Sequence, residues 1–587
     1  MINIYDFEVF KHDWLTVIYN PVEKKETIIV NDKKELEDYY QKHKQDIWVG
    51  FNSRNYDQYI LKGILCGFNP YRISKFIIDE KRKGWEYSSL FNKIPFYNYD
   101  VFTGYHGLKT LEAFMGNDIK ETSVPFTLNR KLTEAELEET IKYCRHDVYQ
   151  TLEVFLRRKF DFDTHINMIK QFKLPFKSIS KTQAQLIATI LNARKQDARD
   201  DEFDIRLPNT LKLGKYRWIG DWYLTAKERA MEDEDVLNAV NYEKIKEQFY
   251  GQVLETEVAG VLHTFAWGGV HGAIPQYQYE CKPDEVMIMA DVASLYPSLM
   301  IQYNLHSRSI KDPTKFVEIY DLNLEMKKNK NPIRPVYKLI CNTTYGCMGD
   351  KYNPLYDKLH QNLVCVFGQM LLLDLIEKCE KMPFFNLIQS NTDGILVLIK
   401  RNDFDIFKSI VNEWEKRTRL NMEFTEFEKI YQKDVNNYVA VEPNSKYKTK
   451  GAYVKSLTEL DYDLPIVNKA MVDYMVNGTP ITETINKCDD LKDFQKIVKI
   501  SSNYYCGWHN NKFLNDKTFR VFASKSYQDT YVGKVKEIGA TIEKFANTPD
   551  HCLIINDDIN GKAIPYMLDK QWYIDLTKER LMQYGVM

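Results

Sequence analysis

The chain has little that would tie it to a zinc ribbon, a membrane or a secretory route. Its ten cysteines are scattered without a CxxC pair, and Cys341 and Cys347 stand six apart, which is not a zinc-ribbon spacing. No structural zinc or iron–sulfur site is therefore expected, and the thiols read as reduced, in a cytoplasmic protein. The first residues, MINIYDFEVFKHDW, lack a basic segment followed by an apolar core, so no signal peptide is expected. No apolar run reads as membrane-spanning. The net charge of −2 gives no bulk basic character, so any phosphate-binding surface has to be a local patch. There is no convincing internal repeat and no long low-complexity segment.

What is present is globular. At 587 residues the chain is too long for one core and implies several domains. A hydrophobic share of 44% suffices for packed cores and excludes wholesale disorder. The 39 Tyr and 31 Phe serve packing or base stacking, and composition does not choose between them. INIYDFEVF and DIWVGFN read as short strands, the second leading into a helical NYDQYILKGIL. Residues 134–157 place Leu137, Ile141, Cys144, Val148, Leu152 and Phe155 at helical spacing, and Thr133 with Glu136 makes a capping box. EVMIMADV, 285–292, reads as a buried strand. Residues 314–350 read as two helices joined by KKNKNP, and 360–380 as an apolar helix. In LIQSNTDGILVLI, 387–399, Asp393-Gly394 lies between apolar runs, a strong hairpin signal.

Acidic residues gather in two ordered sets. Asp6 and Glu8 are two apart on a strand and share a face. Asp57 follows a strand at the start of a helix, and Tyr143 and Asp147 share a helix face at i, i+4. Each of these residues alone reads as a solvated side chain, as acids at strand ends and on helix faces usually are. Together, four carboxylates and a phenol suit two hard divalent ions, which keep oxygen ligands and support phosphodiester hydrolysis. DFE, FNSRNYD (51–57) and YCRHD (143–147) resemble the three motifs of DEDD-type 3′–5′ exonucleases. The resemblance is to the Tyr subclass, since position 142 is Lys and His146 is misplaced for the His subclass. It implies that Asn52 works near the primer strand.

The second set is DVASLYPS (291–298), KLICNTTYG (338–346) and the NTDG hairpin. An Asp at a strand end beside free carbonyls suits a metal, and Lys338 and Asn342 share a helix face. In order, the three resemble the first palm motif, the fingers motif and the DTDS motif of family B DNA polymerases. The resemblance implies that Asp291, Asp393 and the Val292 carbonyl hold two Mg²⁺ ions, with Mn²⁺ as the substitute, as in the exonuclease site. It implies that Lys338, Asn342, Ser294, Leu295 and Tyr296 receive the incoming dNTP, Tyr296 excluding a 2′-OH. Arg334 is a helper or a surface residue, and Lys327 or Lys328 stands as the other triphosphate contact, Asn323 replacing the usual Arg. Asn391 and Gly394 depart from DTDS. FAWGGVHGA (265–273), with Gly268 and Gly269, loosely resembles the Gly-rich YxGG segment. VNNYVAV and SKYKTKGAYV (435–454) resemble the primer-binding region, where Tyr438 matches KxY, Asn436 replaces its Lys, and Lys446, Lys448, Lys450 and Gly451 follow. Tyr345 and Gly346 complete the DNA-facing set.

The implied fold class is multidomain α/β and α+β: an RNase H-like exonuclease domain (1–160), a connecting region with the N-terminal part of the palm (161–280), palm (281–310), short helical fingers (311–346), palm (347–460) and a small thumb (461–587). The implied function is DNA-directed DNA polymerisation with proofreading, the partners being primer–template DNA, dNTPs and phage replication proteins. The compact size resembles a bacteriophage or mobile-element polymerase working in a host cytoplasm as a monomer. Asp291 to Lys338 and Gly346 to Asp393 are gaps of 47 residues each, with no obvious room for a terminal-protein insertion, so an ordinary nucleic-acid primer is favoured. The other readings are a 3′–5′ exonuclease with a feeble polymerase half and a non-catalytic scaffold for primed DNA.

Overall fold

The computed structural model describes residues 1–197, 200–232, 242–537 and 539–587, so part of the connecting region lies outside the described residues. The described residues form a mixed α/β protein with five sheets. It forms two compact units: residues 1–181, 457–467 and 482–575 make the first, and residues 182–456, 468–481 and 576–587 the second.

The first unit is built on a five-stranded sheet of β1 Ile2–Val9, β2 Trp14–Asn20, β3 Lys25–Val30, β4 Ile47–Gly50 and β5 Tyr97–Asp100, in the order β3-β2-β1-β4-β5. β1 runs antiparallel to β2 and parallel to β4. Alternation along β1 sends Tyr5, Phe7 and Val9 into an apolar core with Trp48 and Leu61. Asp6 therefore takes the opposite face, where the thiol of Cys144 meets its carboxylate at 3.7 Å. Cys144 belongs to the helix Glu134–Arg157, which starts at the expected Thr133 capping box. In the C-terminal part of this unit, strands Lys496–Lys499, Thr518–Ala523 and Cys552–Ile554 form an antiparallel sheet. Fully buried Arg520 joins it to the helix Leu108–Met115, donating to the carbonyls of Ala113 at 3.1 Å and Asn117 at 2.7 Å.

The second unit contains a seven-stranded antiparallel sheet. Its strands are β6 Leu254–Val258, β7 Val261–Phe265, β8 His271–Ala273, β10 Glu285–Val292, β11 Phe385–Ser390, β12 Gly394–Lys400 and β13 Met422–Phe427, in the order β13-β10-β12-β11-β8-β7-β6. A four-stranded sheet is made of β9 Tyr277–Glu280, β14 Lys429–Asp434, β15 Asn437–Val441 and β16 Tyr447–Lys450, in the order β16-β15-β14-β9. Met287, Met289, Leu396 and Leu398 of the first pack against Ile430, Tyr438 and Ala440 of the second. The two expected helices are Thr314–Lys328 and Arg334–Cys347. The second buries Val336, Ile340, Thr344 and Cys347 and leaves Lys338, Asn342 and Gly346 exposed on the other face. The helix Lys358–Cys379 corrects one sequence expectation, because by length and composition it is apolar enough to cross a membrane. Its most apolar stretch is 89% buried inside the protein, which makes it a core helix.

Candidate active sites

In the first unit, four of the expected residues, Asp6, Asn52, Tyr143 and Asp147, line one cavity of about 480 Å³, whereas Glu8 and Asp57 lie outside its lining. Asp57, the first residue of its helix, is anchored from β1, whose Phe7 N–H donates to its carboxylate at 3.2 Å. The donor atoms of Asp6, Glu8 and Cys144 lie within 4.8 Å of one another. Burial of so many acids has a clear electrostatic cost. Burial first, then repulsion from Asp57 and Asp147, holds the Asp6 carboxyl well above its usual range, and burial with repulsion from Asp6 does the same to Glu8. Asp57 is pushed up to about 7 and Asp147 to about 6, in both cases chiefly by burial. Burial and the neighbouring Asp147 also raise the Tyr143 phenol, which stays protonated. Asp6, Glu8, Asp57 and Asp147 offer hard-oxygen donors of the kind Mg²⁺ or Mn²⁺ takes, and cation binding would favour their ionised forms.

Several members of this site were not legible in the sequence. The Lys109 ammonium donates to Asp147 and to Glu112, and stands 4.7 Å over the Tyr143 ring. Glu112 is fully buried and faces His146 at 3.4 Å. Asp100, at the end of β5, accepts from the backbone N–H groups of Asn52, Arg54 and Phe102 at 2.8–3.0 Å, and so holds the loop carrying Asn52 in place. Asn52 itself has φ +58°, a left-handed conformation that Asn tolerates better than most residues. A short sequence offers no signal for such partners, since Lys109 and Asp147 are 38 residues apart.

In the second unit, the Asp-Gly hairpin and the strand end expected to bind metal are the same place. β10 and β12 pair antiparallel with Asp291 opposite Gly394, and the Val292 N–H donates to the Asp393 carbonyl at 2.6 Å. On its other side Asp291 lies opposite Glu423 of β13, a third carboxylate that motif reading missed. Burial raises the Asp291 carboxyl, the Lys448 ammonium 3.6 Å away lowers it, and Asp393 and Glu423 raise it further. Asp291, Asp393 and Glu423 offer hard-oxygen donors of the kind Mg²⁺ takes, but among the described residues only the first unit brings three metal-ligating donor atoms within 4.8 Å of one another.

The Gly394 departure from DTDS has a structural reason, whereas the turn that Asn391 closes is one an Asp would close as well. The Asn391 side-chain oxygen accepts from the N–H groups of Asp393 at 3.1 Å and Gly394 at 2.7 Å, closing the turn as an Asx motif. A Cβ on Gly394 would fall 2.2 Å from Asp291 Oδ1, so no side chain fits there. Gly269 is also a packing glycine, because its Cβ would meet Thr392 Oγ1 at 2.4 Å, whereas Gly268 and Gly346 face open space. Gly451, at φ +107°, abuts Asn437.

The remaining expected residues divide clearly. Tyr296 stacks on Tyr345 with ring centroids 4.1 Å apart. Ser294 is exposed and sits at φ +51° before the helix Leu295–Gln302; its side chain makes no cap bond, so its strained backbone does not serve as an ordinary helix start. Leu295 is buried beneath it. Lys327 pairs with Glu423 at 2.6 Å, while Asn323 is buried and Arg334 is half-buried. Lys450 lies across from Tyr438 in the β15–β16 pair. Tyr438 itself is 1% exposed and belongs to the core between the two sheets.

No family model matches the chain, and a search of curated proteins finds no match either. Among solved structures the chain is similar to the family B DNA polymerase from the hyperthermophilic archaeon Pyrobaculum calidifontis, at 13% identity and a TM-score of 0.40, over 100% of this chain and 78% of that one.

Proposed function

We propose that the chain is a DNA-directed DNA polymerase with a 3′–5′ proofreading exonuclease, each reaction at its own carboxylate site. The observation that carries the polymerase half is the placement of Asp393, on a hairpin tip, beside Asp291 at the end of the neighbouring strand, with Glu423 opposite. The ordered motifs that meet there support the same reading. Asp291, Asp393 and the Val292 carbonyl at one site, and Asp6, Glu8, Asp57 and Asp147 at the other, would each hold two Mg²⁺ ions, which activate the attacking oxygen and neutralise charge on the phosphate.

The chain's own residues do the rest by positioning and charge. Lys338 and Asn342, exposed on one face of their helix, meet the triphosphate. The Tyr296–Tyr345 stack makes a rigid floor under the sugar, which favours deoxynucleotides. Lys448, beside the Asp291 carboxylate, balances charge at the polymerase site, and Lys450 on the same strand meets the primer backbone. In the exonuclease site, the protonated Tyr143 hydroxyl donates to the attacked phosphate or the water, and Lys109 balances the carboxylate charge. An ordinary nucleic-acid primer and a phage or mobile-element setting belong to the same proposal.

One observation favours a second reading, an exonuclease with feeble polymerisation: Asn391 spends its side chain on the turn and adds no charge beside Asp393. A primer-extension gel with Mg²⁺ and a 5′-labelled primer on a longer template separates the two. Elongation with dNTPs and shortening without them is the expected result. Shortening in both lanes would leave the exonuclease alone, and no change in either, with DNA still bound, would leave a scaffold.

A further inference from the structure

The cavity at Asp6 and Asp147 does not end at the carboxylates. Its wall includes Lys499 and Lys517, from the C-terminal part of the first unit, facing Phe51, Phe126 and Asn52. A second cavity, of about 330 Å³, is lined by Tyr105, His106 and Ile497, and the two share Gly107 and Lys499. They therefore form one groove that leads away from the carboxylates, with Lys499 at its waist. Gly107 is a close neighbour there: a Cβ on it would lie 3.1 Å from the Lys499 ammonium.

The chemistry along the groove is ordered. Among the described residues no carboxylate pairs with the exposed Lys499. Beyond Asp6 and Asp147 of the carboxylate site, the acids that line the groove are engaged elsewhere: Glu121 accepts from the backbone N–H of Lys517 at 2.8 Å and of Thr518 at 3.2 Å, Asp463 accepts from Lys496 at 2.6 Å, and Asp461 has a partner of its own. The Lys517 ammonium donates to the Tyr505 carbonyl and keeps two donors to offer. Tyr105, which lines the second cavity, is 86% exposed and presents an open aromatic face there. Cations spaced along a channel with aromatic faces beside them are what a single strand needs, charge for phosphates and rings for bases.

We propose that this groove binds the last nucleotides of a single-stranded 3′ end, with Lys499 and Lys517 holding phosphates upstream of the scissile one and Tyr105 offering a stacking face. The inference rests on the exonuclease half of the proposed function. It gives the C-terminal part of the unit a substrate-binding role that no motif in the sequence assigns to it.

The test is single-turnover hydrolysis of 5′-labelled oligothymidylate by the full chain in Mg²⁺, with an eight-nucleotide substrate compared with a dinucleotide. Lys499→Ala should raise the half-saturating enzyme concentration for the octamer about threefold to tenfold, leave its saturated rate unchanged, and leave the dinucleotide unaffected. Lys517→Ala should do the same, and Lys499→Arg should restore binding. Each lost lysine should reduce the slope of log affinity against log salt by about 0.7, the value for one contact on a single strand. Tyr105→Ala should weaken the octamer without changing that slope. If the wild type does not hydrolyse the octamer at all, the exonuclease reading itself falls. If it does, and the Lys499 variants keep both wild-type affinity and salt slope, the groove is not the strand's path. Equal losses on octamer and dinucleotide would mean that the lysines support the carboxylate site instead, and would also overturn the proposal.

Discussion

Replacing Asp57 by asparagine should make the metal-free protein more stable at pH 8 while ending hydrolysis at the first carboxylate site. Asp57 is 4% exposed, and its carboxyl is pushed from an ordinary 3.8 up to about 7, burial being the main cause and Asp100 adding to it. A carboxyl raised in the folded state lends its full stability below about pH 4 and loses it as the pH rises through about 7. Keeping the proton over that range corresponds to about 4 kcal/mol at most. The amide that Asp57→Asn introduces does not titrate, and its oxygen still accepts the Phe7 N–H. The variant should therefore match the wild type near pH 4 and gain on it up to pH 8, by an amount on the order of 10 °C in the transition of this unit. Mg²⁺ should raise the wild-type transition and close the gap, because cation binding and carboxylate ionisation are linked. Thermal unfolding from pH 4 to 8, with EDTA and with Mg²⁺, measures all of this. A stability difference that does not change with pH would refute the reasoning, since it would mean that Asp57 is not held protonated by its surroundings.

Three further substitutions follow from the geometry. Gly394→Ser puts a side chain where Asp291 Oδ1 lies, 2.2 Å from the new Cβ, so elongation should fall at least about 100-fold with exonuclease activity intact, read on the same primer gel. Asn391→Ala removes the acceptor that closes the turn and should cost about 1–2 kcal/mol of stability, whereas Asn391→Asp keeps the acceptor, adds a charge and should lower the Mg²⁺ concentration needed for half-maximal elongation. Arg520→Met leaves the carbonyls of Ala113, Asn117, Ile555 and Asp557 without their donor in a buried place and should cost about 3–5 kcal/mol in denaturant unfolding of the first unit.

Local pattern carried far in this chain. The helix Glu134–Arg157 has a capping box and an apolar stripe, and the Asp393-Gly394 hairpin has its turn residues between apolar runs; both form where expected because their causes lie within a few residues. The carboxylates of each site were legible for a related reason, since a strand and a helix fix which neighbours share a face. Their partners were not. Lys109, Asp100, Glu423, Lys499 and Lys517 reach their sites through tertiary packing, and nothing near them in the chain marks the destination. The interleaving of 482–575 with residues 1–181 is of the same kind, resting on contacts such as Arg520 to Ala113 that span 407 positions. Tyr438 shows what a motif leaves out: the register of β15 buries its ring in the core between the two sheets, with its hydroxyl in the field of Asp291 and Asp393.

The central claim is that the chain carries two separate carboxylate sites with different reactions. The most direct measurement puts Asp6→Ala, Asp393→Ala and the wild type on one 5′-labelled primer–template in Mg²⁺, with and without dNTPs. The expected result is that the Asp6 variant elongates but does not shorten the primer, the Asp393 variant shortens but does not elongate it, and the wild type does both. Survival of both activities in both variants would contradict the assignment of the two sites.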